Sequence, residues 1–279
     1  MITNKYQLGD NCLLGVENIA KAMKLLEIKK SSLGLFTKLE TLNDNTIVET
    51  VENIDKNGFT KLMSAFQNLQ SKKINETKEL AKHLKQEYPK CSEVYRLLSF
   101  IADYEKDYKS AMENIEKAIE CNKENTFAWL QKGRLLFDEL NKPDDAVLCF
   151  CECVKIDKYM FHAYHDLGLV CMKFLNDLIN SKNNNDIKKY ASDYTQNAFD
   201  FFQMSASINP LFLDNYPNIA QILLIGGDYE SCIMFINESM DFFKRHGLYD
   251  INNDVIRFLK IIYEDAQNNK YRLNGQNET

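Results

Sequence analysis

An all-α fold built from antiparallel helix pairs is what this sequence predicts, and three observations predict it. Tyr95, Trp129, Tyr164 and Tyr216 each open a run in which apolar residues return at every third or fourth position, the period of one helix face. The four aromatics stand 34, 35 and 52 residues apart, and the residue types that follow each of them keep the same order. Four Pro and ten Gly in 279 residues are too few breakers for a turn-rich β architecture.

The elements follow in chain order. Residues 12–28 (CLLGVENIAKAMKLLEI) and 45–55 read as amphipathic helices outside the repeating pattern. Residues 1–57 are therefore expected to form a helical cap over the apolar face that a first repeat would leave bare. Residues 58–91 are a weaker copy of the pattern, GFTKLMSAFQNLQ followed by INETKELAKHLKQEYP. Full copies occupy 92–125, 126–160, 161–212 and 213–245. In each, a small residue follows the opening aromatic by four: Ser99, Gly133, Gly168 and Ala220. A second helical run begins at Ala111, Ala146, Ala198 or Cys232, with Ile115, Phe150, Phe202 or Ile236 four residues on. Small residues return three positions later, at Ala118, Cys153, Ser205 and Ser239. Small residues where two helices cross let the backbones approach, and the aromatic fills the groove beside them.

The 161–212 copy is longer. From Gly168 to Ala198 is 30 residues, against 12 from Ser99 to Ala111. The surplus makes about five helical turns, and shared between two helices it lengthens both without disturbing their phase. A hairpin is expected over 175–193, with Phe174, Leu175, Leu178 and Ile179 facing Ile187, Tyr190, Ala191 and Tyr194 across the turn SKNNND (181–186). Residues 246–269 hold a capping helix with Val255, Phe258, Leu259 and Ile262 on one side. Residues 270–279 are polar and expected to be a disordered tail.

This layout resembles the tetratricopeptide (TPR) repeat, which places an aromatic, Leu-Gly, Ala, Phe and Pro at set positions in a repeat of about 34 residues. DYKSA (107–111) and DYESC (228–232) are similar to the family's turn into its second helix, and Pro210 stands at the closing Pro. Lys123, Lys158 and Lys244 depart from that Pro, and Lys132 stands where the family prefers Leu. The resemblance covers roughly residues 58–245. It implies a right-handed superhelical solenoid of antiparallel helix pairs that holds other proteins.

Composition narrows the function from another side. A net charge of −6 argues against nucleic acid, whose binders need a basic face to displace counterions. No apolar run approaches the ~20 residues that span a bilayer, and the start MITNKYQLGD lacks the layout of a signal peptide. The eight cysteines fall singly or inside helical runs, so they are expected to be reduced thiols in an intracellular, cytoplasmic protein. No phosphate-cradling Gly loop, HExxH pair or nucleophile elbow is present, which predicts neither catalysis nor a cofactor. Cys149 and Cys153 share a helix face shortly before His162, and a metal- or redox-dependent protein is the alternative they suggest. Cys153 falls on the small packing position, however, where a thiol replaces Ala well, so no metal ligand is expected.

The resemblance also implies a binding surface. In this family the second, fifth, ninth and twelfth positions of each first helix line a concave groove. Here they comprise Arg96, Phe100, Asp103, Phe127, Leu130, Arg134, Phe137, His162, His165, Leu169 and Met172, preceded by Phe59, Leu62 and Phe66 in the weaker copy. So apolar a set predicts that the groove holds a helical or extended apolar segment, with Arg96, Arg134, His162 and His165 orienting acidic groups beside it. That segment belongs to another protein or is residues 12–28 of this one. The family's clamp for a chaperone C-terminal carboxylate wants basic residues and Asn at positions that here hold Arg96, Phe100, Gln131, His162 and Asp166, of which only Arg96 suits. The expected function is a scaffold or adaptor, as a subunit or assembly factor of a larger complex. A stand-alone peptide-binding adaptor or co-chaperone is the alternative.

Overall fold

The computed structural model describes residues 53–277, the side chains as far as Arg272. The expected helix at 12–28 and most of that at 45–55 lie outside the described residues. Asn53–Asp55 are not helical, because Asp55 caps the first described helix instead of continuing one before it.

Eleven α-helices and no strand make up the described residues. They are α1 (Lys56–Gln70), α2 (Ile74–Glu87), α3 (Ser92–Tyr104), α4 (Tyr108–Cys121), α5 (Thr126–Arg134), α6 (Pro143–Ile156), α7 (Phe161–Asn180), α8 (Asn184–Ile208), α9 (Asn215–Ile225), α10 (Tyr229–Arg245) and α11 (Asp254–Asn277). A π-helical turn, Leu135–Glu139, continues α5. Two compact units divide them, residues 53–163 and residues 164–277. In the first, α1 packs on α2, α3 on α4 and α5 on α6. In the second, α8 packs on α9, and α9, α10 and α11 pack on one another.

One turn joins the two helices of every pair. Lys72, Lys106, Asn141, Lys182 and Gly227 all have positive φ, between 50° and 77°, and each stands two residues before the second helix begins. That left-handed residue reverses the chain, and in three pairs the next residue's side chain accepts a backbone N–H of the new helix. Asp107 receives Ser110 N at 3.1 Å, Asp228 receives Ser231 N at 3.1 Å and Asn183 receives Asn185 N at 3.2 Å. The turn after α7 is correspondingly short. Helix resumes at Asn184, inside the stretch expected to be loop, because Asn183 caps it.

The small residues of the first helices lie directly against large residues of the second. A Cβ at Gly133 would lie 2.4 Å from the Phe150 ring, and one at Gly168 would lie 2.7 Å from the Phe202 ring. Both phenylalanines are fully buried. Where the small residue is Ser99 or Ala220, the residue at the ring's place is the slimmer Ile115 or Ile236.

The opening aromatics do more than fill space. Tyr95 Oη donates to Pro89 O at 3.0 Å, Trp129 Nε1 to Lys123 O at 2.9 Å and Tyr216 Oη to Pro210 O at 2.8 Å. Each reaches the carbonyl six residues back, where the preceding pair ends. In these three copies the bond explains a Tyr or Trp in place of Phe, and why Lys123 substitutes for the expected Pro: a carbonyl is all that is required.

Two further differences from expectation have local causes. The step of 35 residues after Trp129 carries one extra residue, and the π turn absorbs it: Leu140 N bonds to Leu135 O, five residues back, at 3.1 Å. At the C-terminus, α11 runs on to Asn277, past residue 269, where a disordered tail was expected. Its residues 268–272 (NNKYR) are polar but helix-compatible, with no Pro to stop them.

Candidate protein-binding cleft

The first unit contains a cleft of about 350 Å³ between α3 and α5 with its π turn. Of the residues expected in a groove, Arg96, Phe100, Asp103, Phe127, Leu130, Arg134 and His162 line it. Phe127 stands at the edge with 39% of its surface exposed, while Leu130 is nearly all buried. Leu62, expected beside them, is core.

Arg96 organises one wall. Its Nε donates to Glu93 Oε2 at 2.7 Å, and its guanidinium lies 4.9, 5.5 and 5.6 Å from the ring centres of Phe66, Phe100 and Phe127. Phe66 and Phe100 meet edge to face at 6.3 Å. The other Glu93 oxygen accepts from Asn125 Nδ2 at 2.6 Å, and Asn125 Oδ1 in turn receives Ala128 N at 3.0 Å to cap α5. Cap, carboxylate, guanidinium and three rings thus form one connected structure. The expectation that Arg96 orients an acidic ligand group is corrected accordingly, because Glu93 and the rings already hold that charge.

The π turn decides the other wall. In an uninterrupted α-helix Phe137 would follow Phe127, Leu130 and Arg134 on one face. The wider turn rotates Phe137 out of the lining and brings in Asp138 and Glu139. Asp138 thereby stands one repeat after Asp103, at the 35-residue step of the extra residue. Sequence reasoning missed both acids, although the step of 35 was the signal of the shift. Burial, followed by the nearby Glu139 carboxylate, raises the Asp103 carboxyl above the usual range.

The remaining expected residues lie in the second unit. His165 is a core histidine: 7% exposed, with Nδ1 2.9 Å from Asn215 Oδ1 and its ring between Phe202 and Phe212 at 5.3 and 5.0 Å. Its place on the groove face is corrected by that packing. Leu169 and Met172 are half-buried and line neither described cavity. The second unit has its own cavity of about 500 Å³, where Leu175, Ile179, Ile187 and Phe199 of the lengthened α7–α8 pair meet Ile222 and Ile225 of α9. Phe174 and Tyr194 lie 5.6 Å apart across that pair.

The cysteine alternative gains no support. Burial pushes the Cys149 thiol up to about 12 and Cys151 to about 11, and it raises Cys171 as well. Cys153 donates its thiol proton to Thr126 O at 3.3 Å. Among the described residues no three His, Cys, Asp or Glu side chains converge on a metal-sized site, and no helix there is long and apolar enough to cross a membrane.

Repeated helix pairs joined by one kind of turn, with small residues against large ones and a polar aromatic opening each copy, define a helical-repeat fold of the tetratricopeptide type. A tetratricopeptide-repeat family model matches residues 128–159. PilF of Pseudomonas aeruginosa is similar in structure, with a TM-score of 0.57 at 15% identity over 77% of this chain and 90% of that one. A TPR protein of Thermus thermophilus scores 0.51 at 11% identity over 75% and 98%. MamA of Desulfovibrio magneticus scores 0.50 at 12% identity over 68% and 97%. At such identities the likeness establishes the fold. No curated protein sequence matches the chain.

Proposed function

We propose that this protein is a non-catalytic scaffold that holds a helical or extended apolar segment of another protein in the cleft between α3 and α5, as a subunit or assembly partner of a larger complex. The observation that carries the proposal is the cleft itself. A concavity of about 350 Å³ presents Phe127 at its edge, and its aromatic wall is fixed in place by Arg96 and Glu93 before any ligand arrives. Preorganised walls spare a ligand the cost of ordering them.

Affinity purification of the full chain from its native source, in parallel with Phe127→Glu, tests the proposal. A partner lost from the variant, whose helical circular dichroism spectrum matches the parent's, is the expected outcome. A partner retained at equal yield places the contact elsewhere and refutes the reading. Deleting residues 1–30 separates a foreign occupant from the chain's own amphipathic segment. If that segment fills the cleft, the deletion raises affinity for a hydrophobic dye, and Phe127→Glu then lowers it.

A further inference from the structure

The cleft carries chemistry that an apolar groove does not need. Asp103, Asp138 and Glu139 all line it, with Asp103 and Glu139 close enough to repel, and the π turn brings in the last two. Of the two arginines that line the cleft, Arg96 is committed to Glu93. Among the described residues no ion pair reaches Asp103 or Glu139, and the two carboxylates act on each other as like charges.

A second observation is independent of the charges. Gln131 lines the same cleft and is 8% exposed. Its Nε2 donates to Arg96 O at 3.4 Å, but its buried Oε1 accepts from nothing among the described residues. The Arg96 carbonyl fixes which way the amide points, since an oxygen there would face an oxygen. A buried acceptor without a donor is costly, and a ligand N–H relieves it. Glu139 already accepts from the Tyr108 hydroxyl, but neither carboxylate meets a cation and the amide oxygen is unsatisfied, so two of the three ask for positive charge.

We infer that the acidic end of the cleft is a subsite for one basic side chain, lysine or arginine, borne by the apolar segment of a partner protein. The inference rests on the proposal that the cleft holds such a segment. Phe100 and Phe127 take the aliphatic stem of the basic residue, Asp103 and Glu139 accept from its charged head, and Gln131 Oε1 accepts an N–H of the head or the adjoining backbone. Charge complementarity here selects the partner, and apolar contact supplies most of the affinity.

A random peptide display library, selected on the full-length chain and in parallel on Asp103→Asn/Glu139→Gln and on Phe127→Glu, tests this. Peptides recovered on the parent chain should combine apolar residues with a lysine or arginine enriched severalfold over the starting library. On the Asp103→Asn/Glu139→Gln chain the apolar residues should persist and the basic enrichment should vanish. Apolar pools with no basic enrichment on the parent chain, or with enrichment that survives the double substitution, overturn the subsite and leave the cleft as a binding site. Pools that do not enrich at all, or that bind Phe127→Glu equally well, overturn the cleft and the subsite together. Matching helical spectra for the three chains exclude unfolding as the cause of a lost pool.

Discussion

Replacing Gly133 by Ala should destabilise the protein, and replacing Phe150 by Ile in the same chain should restore most of the loss. A Cβ at Gly133 would lie 2.4, 2.8 and 2.9 Å from three atoms of the Phe150 ring, whereas non-bonded carbons settle about 3.5–4 Å apart. Phe150 is fully buried in α6 and cannot swing into solvent, so the ring must retreat by roughly 1 Å or the two helices must part. Overpacking of this kind costs about 1–3 kcal/mol. Ala regains about 1 kcal/mol of helix propensity over Gly, so the net loss is about 0–2 kcal/mol. Phe150→Ile alone leaves a hole and also destabilises. Together the two changes recreate the pairing of Ala220 with Ile236 in the same register, and their coupling should be favourable by about 1–2 kcal/mol. Urea titration followed by far-UV circular dichroism, with hydrogen exchange in α5 and α6 to localise the effect, measures both terms. A Gly133→Ala chain at least as stable as the parent, or two substitutions whose effects simply add, would refute the reasoning.

Other perturbations test other parts of the fold. Tyr95→Phe keeps the ring but leaves Pro89 O without its donor, and a loss of about 1–2 kcal/mol in a urea titration is expected. Lys106→Gly relieves a left-handed backbone (φ 61°) at an exposed turn. It should stabilise the chain by about 0.5–1 kcal/mol, less if the freedom gained by the unfolded chain offsets it. With thiols pushed up to about 12 and 11, Cys149 and Cys151 should resist iodoacetamide at pH 8 in the folded chain and react fully in urea, as peptide mapping will show. The caps Asp55 and Asp107 are held below the usual carboxylate range, Asp55 chiefly by the Gly58 N–H and Asp107 by Ser110. Their contribution is complete above the unfolded pKa near 4 and is lost as pH falls through the lower folded values, so Asp55→Asn should flatten the acid limb of a stability-against-pH profile.

Much of this molecule was determined by its sequence alone, because helix pairing depends on local period and residue size. Apolar returns at three and four, small residues opposite large ones, and an aromatic at the head of each copy require only that each helix meet its own partner. The small positions Gly133 and Gly168 do sit where two helices approach closely, against Phe150 and Phe202. What tertiary structure decided was how charged and polar side chains are used, since spacing says where a residue stands and not what it meets. Arg96, on the predicted face, is occupied by Glu93 and three rings, and His165 is enclosed by Asn215, Phe202 and Phe212. Within the third pair, one surplus residue is taken up as a π turn. That turn moves Phe137 out of the cleft and brings Asp138 and Glu139 in, because a helix one residue wider presents a different face to the same cavity.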